Sequence, residues 1–371
     1  MNLLVKDLSE LREGKRQRDS KYQNSIKLED LLYRIQLHSV KANLERVKIT
    51  EEEFVGLCRG VKREALSQPC LLRIDGPVYV CTGTLGNYVE LSNIIDRCGH
   101  PKFMNYLFLG DYAGRYEQSI ECLVALFAYR LYMPSNFFLL RGCHETLAIA
   151  RAYHLREQLS DFFQSSRAWL EVCEAFTALP YAAVVDEKIF CLHGGLSPYL
   201  QSLDQINRIP RPLDASDREL PCDLLWADPT NLHEGWTESE RGVSVCFGSD
   251  VVASFLKTHD LTLVCRGHEV AYNGFKFFAE KKLVTLTSLA HHCGQANNSS
   301  AVMVVDEQSN VLFKMITDRN SYSDAEQDEG LTFVDIVQRK KDREERRTIE
   351  EAERRTHSNR GTREQKTRRK E

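Results

Sequence analysis

The stretch Asn105–Glu145, NYLFLGDYAGRYEQSIECLVALFAYRLYMPSNFFLLRGCHE, decides the fold class. It opens with a short apolar run, Tyr106–Leu109, closed by Gly110 and Asp111. Apolar residues then recur at Ile120, Leu123, Val124, Phe127 and Leu131, which predicts a helix from Gln118 to about Leu131. Pro134 stops that helix. A second apolar run, Phe137–Leu140, ends in Arg141-Gly142-Cys143-His144-Glu145. Strand, helix, strand predicts a βαβ unit, and such units keep their chemistry in the loops beyond the strand carboxyl ends. Both loops are polar here, one with Asp111 and Arg115, the other with Cys143, His144 and Glu145.

Upstream, Leu28, Leu31, Leu32 and Ile35 keep helical spacing. Thr50-Glu51-Glu52-Glu53 has the form of a capping box before a helix through about Leu66. Short strands are expected at Leu71–Ile74 and Val78–Cys81, followed by the loop Thr82-Gly83-Thr84-Leu85-Gly86-Asn87. No Gly-Lys-Ser/Thr follows those glycines, so a P-loop is unsupported. Downstream, helices run through Phe176, and Ala182–Val185 and Ile189–Leu192 form a hairpin about Asp186-Glu187-Lys188. A long loop through Trp226–Pro229 reaches Arg241-Gly242, and Leu261–Cys265 is a further buried strand. Several β runs close the body at about Thr317.

Four apolar strands thus end in polar clusters: Gly110-Asp111, Gly142-Cys143-His144-Glu145, His193-Gly194-Gly195 and Arg266-Gly267-His268. Glycine beside a polar residue lets backbones crowd close, as metal and phosphate sites require. With Arg115 and Arg241 available, the four clusters together point to one pocket.

Composition bounds the rest. The chain has 371 residues, 42% of them hydrophobic, enough to bury a sizeable core. No apolar run approaches a membrane span, and the first residues lack the apolar segment of a secretory signal. Twelve cysteines without C-x-x-C pairing predict reduced, buried thiols in a cytoplasmic and/or nuclear protein. Residues 338–371 carry 14 Lys and Arg against 8 Asp and Glu, so the net −4 hides a basic tail on a body of −10. The expected organisation is a disordered basic segment over 1–26, one domain over 27–317, and a linker with a charged tail over 318–371. The tail is a candidate contact for an acidic partner or nucleic acid, or a nuclear targeting cluster at Lys366–Lys370. No aromatic residue lies among residues 334–371, which argues against base stacking.

From about Leu28 to Ile316 the chain resembles the phosphoprotein phosphatases, closest to the type 1 serine/threonine phosphatase catalytic subunit. LFLGDYAGR, NFFLLRGCHE, VDEKIFCLHGGLSP, DLLWADP, RGVSVCFG, LVCRGHEV and KKLVTLTS carry the resemblance. It implies an α/β, metallophosphoesterase-like single domain: a central β-sandwich flanked by helices, with two metal ions at the strand ends. A metal-activated water there attacks a phosphoserine or phosphothreonine ester.

The same resemblance marks departures. The first ion's Asp and His fall on Gly83 and Leu85, which offer no donor, so only Asp111, the bridging carboxylate, remains. Gly114 replaces the Asp that orients His144, the would-be proton donor, and His292 replaces a tyrosine beside the cleft. A two-metal centre is therefore not expected. The second ion's set becomes Asp111, Cys143, His193 and His268, with cysteine in place of asparagine. That set suits one zinc or manganese ion, or else Cys143 merely fills space. Arg115 and Arg241 match the phosphate-holding arginines, and either bind phosphorylated segments or pair with local carboxylates such as Asp228. Ile189, Leu263, Phe277, Val311 and Phe313 match a groove in which regulatory subunits add a Val-x-Phe strand, or belong to the core. The expected function is a catalytically impaired or inactive phosphatase-like protein, acting as a scaffold or decoy for phosphoproteins or phosphatase regulators, with no membrane partner. The alternative is an active serine/threonine phosphatase with a rebuilt single-metal site that uses Cys143 and His292.

Overall fold

The computed structural model describes residues 28–36, 47–214 and 219–316. The segment 1–26 and the linker and tail 318–371 lie outside the described residues. In chain order the first strands are β1 (Leu71–Ile74), β2 (Val78–Cys81), β3 (Tyr106–Phe108), β4 (Phe137–Leu139), β5 (Ala182–Val185) and β6 (Ile189–Leu192). A small group follows: β7 (Asp228–Pro229), β8 (Trp236–Glu238) and β9 (Val245–Phe247). The last are β10 (Leu263–Arg266), β11 (Phe275–Phe278), β12 (Leu283–Leu286), β13 (Ser300–Val305) and β14 (Val311–Ile316).

They build a six-stranded sheet, β1-β5-β6-β10-β12-β11, a five-stranded sheet, β14-β13-β2-β3-β4, and a three-stranded ribbon, β7-β9-β8. Alternation along each strand shows how the two large sheets pack. Val78 and Val80, Leu107, Ala183 and Val185, Cys191 and Cys265 face one another in a shared core between the sheets. Their alternate neighbours Tyr79, Cys81, Tyr106 and Phe108 face helices on one outside, and Ala182, Val184, Phe190 and Val264 face helices on the other. Side chains alternate with a period of two. Strands covered on both faces therefore read as unbroken apolar runs. The result is a helix-flanked β-sandwich.

Among the helices that build the layer over the five-stranded sheet's outer face are α1 (residues 28–36), α2 (Glu51–Leu66), α3 (Tyr88–Cys98) and α4 (Ser119–Tyr132). The opening βαβ unit forms as expected, with β3 and β4 parallel in the register Tyr106↔Phe137. The one-sided apolar stripe read on α4 is too narrow, because every residue from Ser119 to Arg130 is buried. It lies between the sheet and α2, so all its faces are covered. The sequence reading missed α3, although Leu91, Ile94, Ile95 and Cys98 keep helical spacing after the N-cap Asn87, whose side chain accepts from Glu90 N at 3.1 Å. The strand expected at Leu261–Cys265 starts two residues later. Leu261 N is still bound to Leu256 O at the preceding helix end.

The capping box forms in both directions: Thr50 Oγ1 accepts from Glu53 N at 3.2 Å, and Glu53 Oε2 accepts from Thr50 N at 2.9 Å. Thr50→Ala is expected to cost about 1 kcal/mol. That lowers the thermal midpoint by roughly 2–4 °C in calorimetry; an unchanged midpoint would show that packing alone holds the helix end.

Candidate metal and phosphate site

The parallel strands β2, β3 and β4 of one sheet, and β6 and β10 of the other, all end at one rim of the sandwich. The loops after β3 and β4 are tied there by Glu145. Its buried carboxylate accepts from Asp111 N at 2.7 Å, Tyr112 N at 2.9 Å and Gly142 N at 2.9 Å. Asp111 in turn accepts at Oδ1 from His144 N, 2.9 Å away. Backbone amides thus aim the Asp111 carboxylate into the rim.

Four candidate residues meet at this point. One donor atom from each of Asp111, Cys143, His193 and His268 lies within 4.8 Å of the others. Cys143 Sγ is 3.5 Å from Asp111 Oδ1 and 3.5 Å from His268 Nδ1, and His193 Nε2 is 3.4 Å from Asp111 Oδ1. His193 Nδ1 is 2.9 Å from the Leu109 carbonyl. A carbonyl only accepts, so Nδ1 carries the proton and Nε2 turns its lone pair toward the carboxylate. Burial holds the His193 imidazole below its ordinary range despite the pull of Asp111. Burial and then His193 push His268 well below it. Burial, then the Asp111 carboxylate, raise the Cys143 thiol well above its usual value. Burial also opposes charge on Asp111, but His193, His144 and the His144 N–H together bring it below the usual carboxylate range.

The two arginines fare differently. Arg241 Nε donates to Asp228 Oδ2 at 2.6 Å, and buried Arg266 holds Asp228 Oδ1 at 2.7 Å. The guanidinium of Arg115 lies 4.2 Å from the centre of the Tyr153 ring and donates to its hydroxyl at 2.9 Å. Among the described residues no carboxylate pairs with Arg115, whose side chain reaches solvent. The Tyr153 ring also stacks on His144, ring centres 4.7 Å apart. His144 Nδ1 sits 2.9 Å from the Ala113 carbonyl, so that nitrogen holds the ring proton, while burial keeps the imidazole below its ordinary range. A backbone carbonyl thus fixes the tautomer that a carboxylate would otherwise set. Gly114, at φ +121°, makes room for this stack: a Cβ there would lie 2.8 Å from His144 Nδ1 and 3.1 Å from Tyr153 Cβ. His292 is half-buried nearby, and burial followed by the Arg115 charge lowers its pKa.

The sequence pattern of the calcineurin-like phosphoesterases matches residues 76–272, more than half of the chain. The chain belongs to that family. Among solved structures, a serine/threonine protein phosphatase from Saccharomyces cerevisiae with similarity to human phosphatase PP5 superposes with a TM-score of 0.68 at 24% identity. That match covers 73% of this chain and 90% of the yeast protein. A cold-active protein tyrosine phosphatase superposes at 0.51 with 14% identity, over 67% and 79% of the two chains. At such identities the likeness is one of fold.

Membership of the calcineurin-like phosphoesterase family implies metal ions at this rim, and the donors fit one position better than two. The tetrad supplies four donors, and His193 Nε2, the ring nitrogen turned toward Asp111, is buried without a hydrogen-bond partner among the described residues. Around Gly83 the backbone is closely packed. A Cβ on Gly83 would lie 1.9 Å from Asp111 O and 2.2 Å from Gly110 O. Leu85 N donates to that same Asp111 O at 3.0 Å, and Leu85 O accepts from Arg115 N and Tyr116 N. The Leu85 side chain is buried. The loop over residues 82–86 is therefore stitched to residues 111–116 where a ligand side chain on residue 83 would begin.

Of the five groove residues, Ile189, Leu263 and Phe313 are buried in the core between the sheets, whereas Phe277 and Val311 are half-buried. β11 and β14 are the edge strands of the two sheets. They meet through Phe275 stacked on Phe313 at 4.0 Å and Phe277 edge-on to Phe313 at 5.6 Å. Sequence reasoning missed Tyr153, for which nothing local signals contact with both an arginine and a histidine. It also missed Tyr116, whose hydroxyl accepts from Cys293 N at 2.8 Å and anchors the loop that carries His292.

Proposed function

We propose that this chain is a phosphatase-like protein, related most closely to type 1 catalytic subunits, that binds phosphorylated segments or phosphatase regulators without hydrolysing phosphate. The carbonyls of Gly110 and Asp111 carry this reading, because they occupy the space a second metal ligand on residue 83 would need. Two cations roughly 3.5–4 Å apart are what allow this class of site to clamp both the attacking and the leaving oxygen. Arg115, free of carboxylates among the described residues, supplies the charge for a phosphate. The exposed side of β14 supplies unpaired backbone for an added Val-x-Phe strand beside Val311 and Phe277. The twelve cysteines are free and all but Cys246 and Cys293 are buried, in keeping with a place in the cytoplasm or nucleus. No helix among the described residues is long and apolar enough to cross a membrane.

The closeness of the tetrad favours a second reading, hydrolysis through one ion with help from His292. One calorimetric series separates them. It uses a phosphoserine peptide, its unphosphorylated twin and a Val-x-Phe peptide, with phosphate release followed under added manganese or zinc. Binding without turnover predicts that the phosphopeptide binds at least about tenfold more tightly than its twin, the scale of a charge-assisted hydrogen bond. Arg115→Ala should erase that preference. Equal affinities end the phosphate part, a silent Val-x-Phe titration ends the groove part, and steady phosphate release establishes the second reading.

A further inference from the structure

We infer that Asp111, Cys143, His193 and His268 form a closed, tetrahedral site for a single zinc ion, with every coordination position filled by protein. This deepens the proposed function and rests on it for the absence of a second ion. Charge is the first reason. One carboxylate and one thiolate beside two neutral imidazoles carry −2, which neutralises a divalent cation outright. With a neutral oxygen donor at 143 the set would carry one negative charge, and a hydroxide would be needed to complete it.

Donor type is the second reason. Sulfur with imidazole selects zinc over manganese or magnesium, which prefer oxygen-rich, octahedral surroundings. Distance is the third. Zinc bonds of about 2.0–2.3 Å imply ligand–ligand edges of about 3.3–3.8 Å in a tetrahedron. Sγ to Oδ1, Sγ to His268 Nδ1 and His193 Nε2 to Oδ1 stand at 3.5, 3.5 and 3.4 Å, and the other three pairs lie within 4.8 Å. The supporting contacts fit as well. Leu109 O orients His193, as partners of metal-bound histidines do, and His144 N orients Asp111. The buried His193 Nε2 stands 3.4 Å from Asp111 Oδ1 and has no hydrogen-bond partner among the described residues. Four protein ligands mark a structural zinc site, whereas catalytic sites keep a position open for water. A loaded ion would therefore hold the rim together and offer no nucleophile.

The full-length chain, stripped of metal and loaded with cobalt, tests this directly. Expected are one cobalt per chain, the intense visible bands of tetrahedral cobalt, and a near-ultraviolet thiolate-to-cobalt charge-transfer band. Cys143→Ser should lose the charge-transfer band, while Cys58→Ser, altering a buried thiol in α2, should keep it. Zinc should also raise the thermal midpoint of the unmutated protein with increasing concentration, a readout independent of whether the variants fold. Weak octahedral bands, a charge-transfer band that survives Cys143→Ser, or no retained cobalt would overturn the inference. If cobalt is not retained but phosphopeptide binding persists, the zinc site alone falls. Two cobalt ions with phosphate release would remove both the zinc site and the proposed function.

Discussion

Glu145→Ala is expected to cost about 3–6 kcal/mol, because it strands three buried amide donors at about 1–3 kcal/mol each, less whatever water recovers. Those donors are the amides of Asp111, Tyr112 and Gly142, so one carboxylate ties the loops after β3 and β4 together. Against a typical stability of 5–15 kcal/mol, the loss leaves little margin. Calorimetry should show a thermal midpoint lowered by ten degrees or more, or a chain recovered largely unfolded. Glu145→Gln keeps one oxygen acceptor but turns an amide donor toward N–H groups, so it should fall between the two. An alanine variant within 1 kcal/mol of the original would mean that the loops hold one another without the carboxylate.

Restoring the missing donors should fail. The double substitution Gly83→Asp with Leu85→His returns the residue types that a two-metal site uses, yet its first effect should be destabilisation. The new Cβ at 83 would stand 1.9 Å from a backbone oxygen, and backbone cannot swing aside as a flexible side chain does. Overpacking usually costs about 1–3 kcal/mol, and a backbone collision belongs at or above that upper end. Removing the buried Leu85 side chain adds about 1.5–3 kcal/mol of lost burial. We expect no second bound ion by metal analysis and no phosphate release. A double variant that folds, holds two ions and turns over a phosphopeptide would show that the rim can reopen and that only the donors were missing.

Local rules accounted for much of the fold. The hairpin about Asp186-Glu187-Lys188, the Thr50–Glu53 capping box and the βαβ unit each depend on residues within a few positions of one another, and all formed in the expected places. α3 was equally legible and was overlooked. The groove divides differently. Its five residues are alike in apolarity, and only sheet packing separates the core members Ile189, Leu263 and Phe313 from the half-buried Phe277 and Val311. The arginines divide in the same way. Both are cations at loop positions, yet Arg241 is captured by Asp228 and Arg115 is not.

The sequence by itself determined where the short apolar strands lie, and that residues 83, 85 and 114 carry no donor for a metal or a histidine, because side-chain chemistry and apolar runs are local properties. Only the tertiary structure decided what fills the space around those residues. That outcome depends on where the Gly110–Asp111 carbonyls, the Tyr153 ring and the 82–86 loop come to rest, positions set by packing between segments far apart in the chain. Close-packed interiors leave few voids, so space beside a residue without a long side chain is filled by whatever backbone or ring can reach.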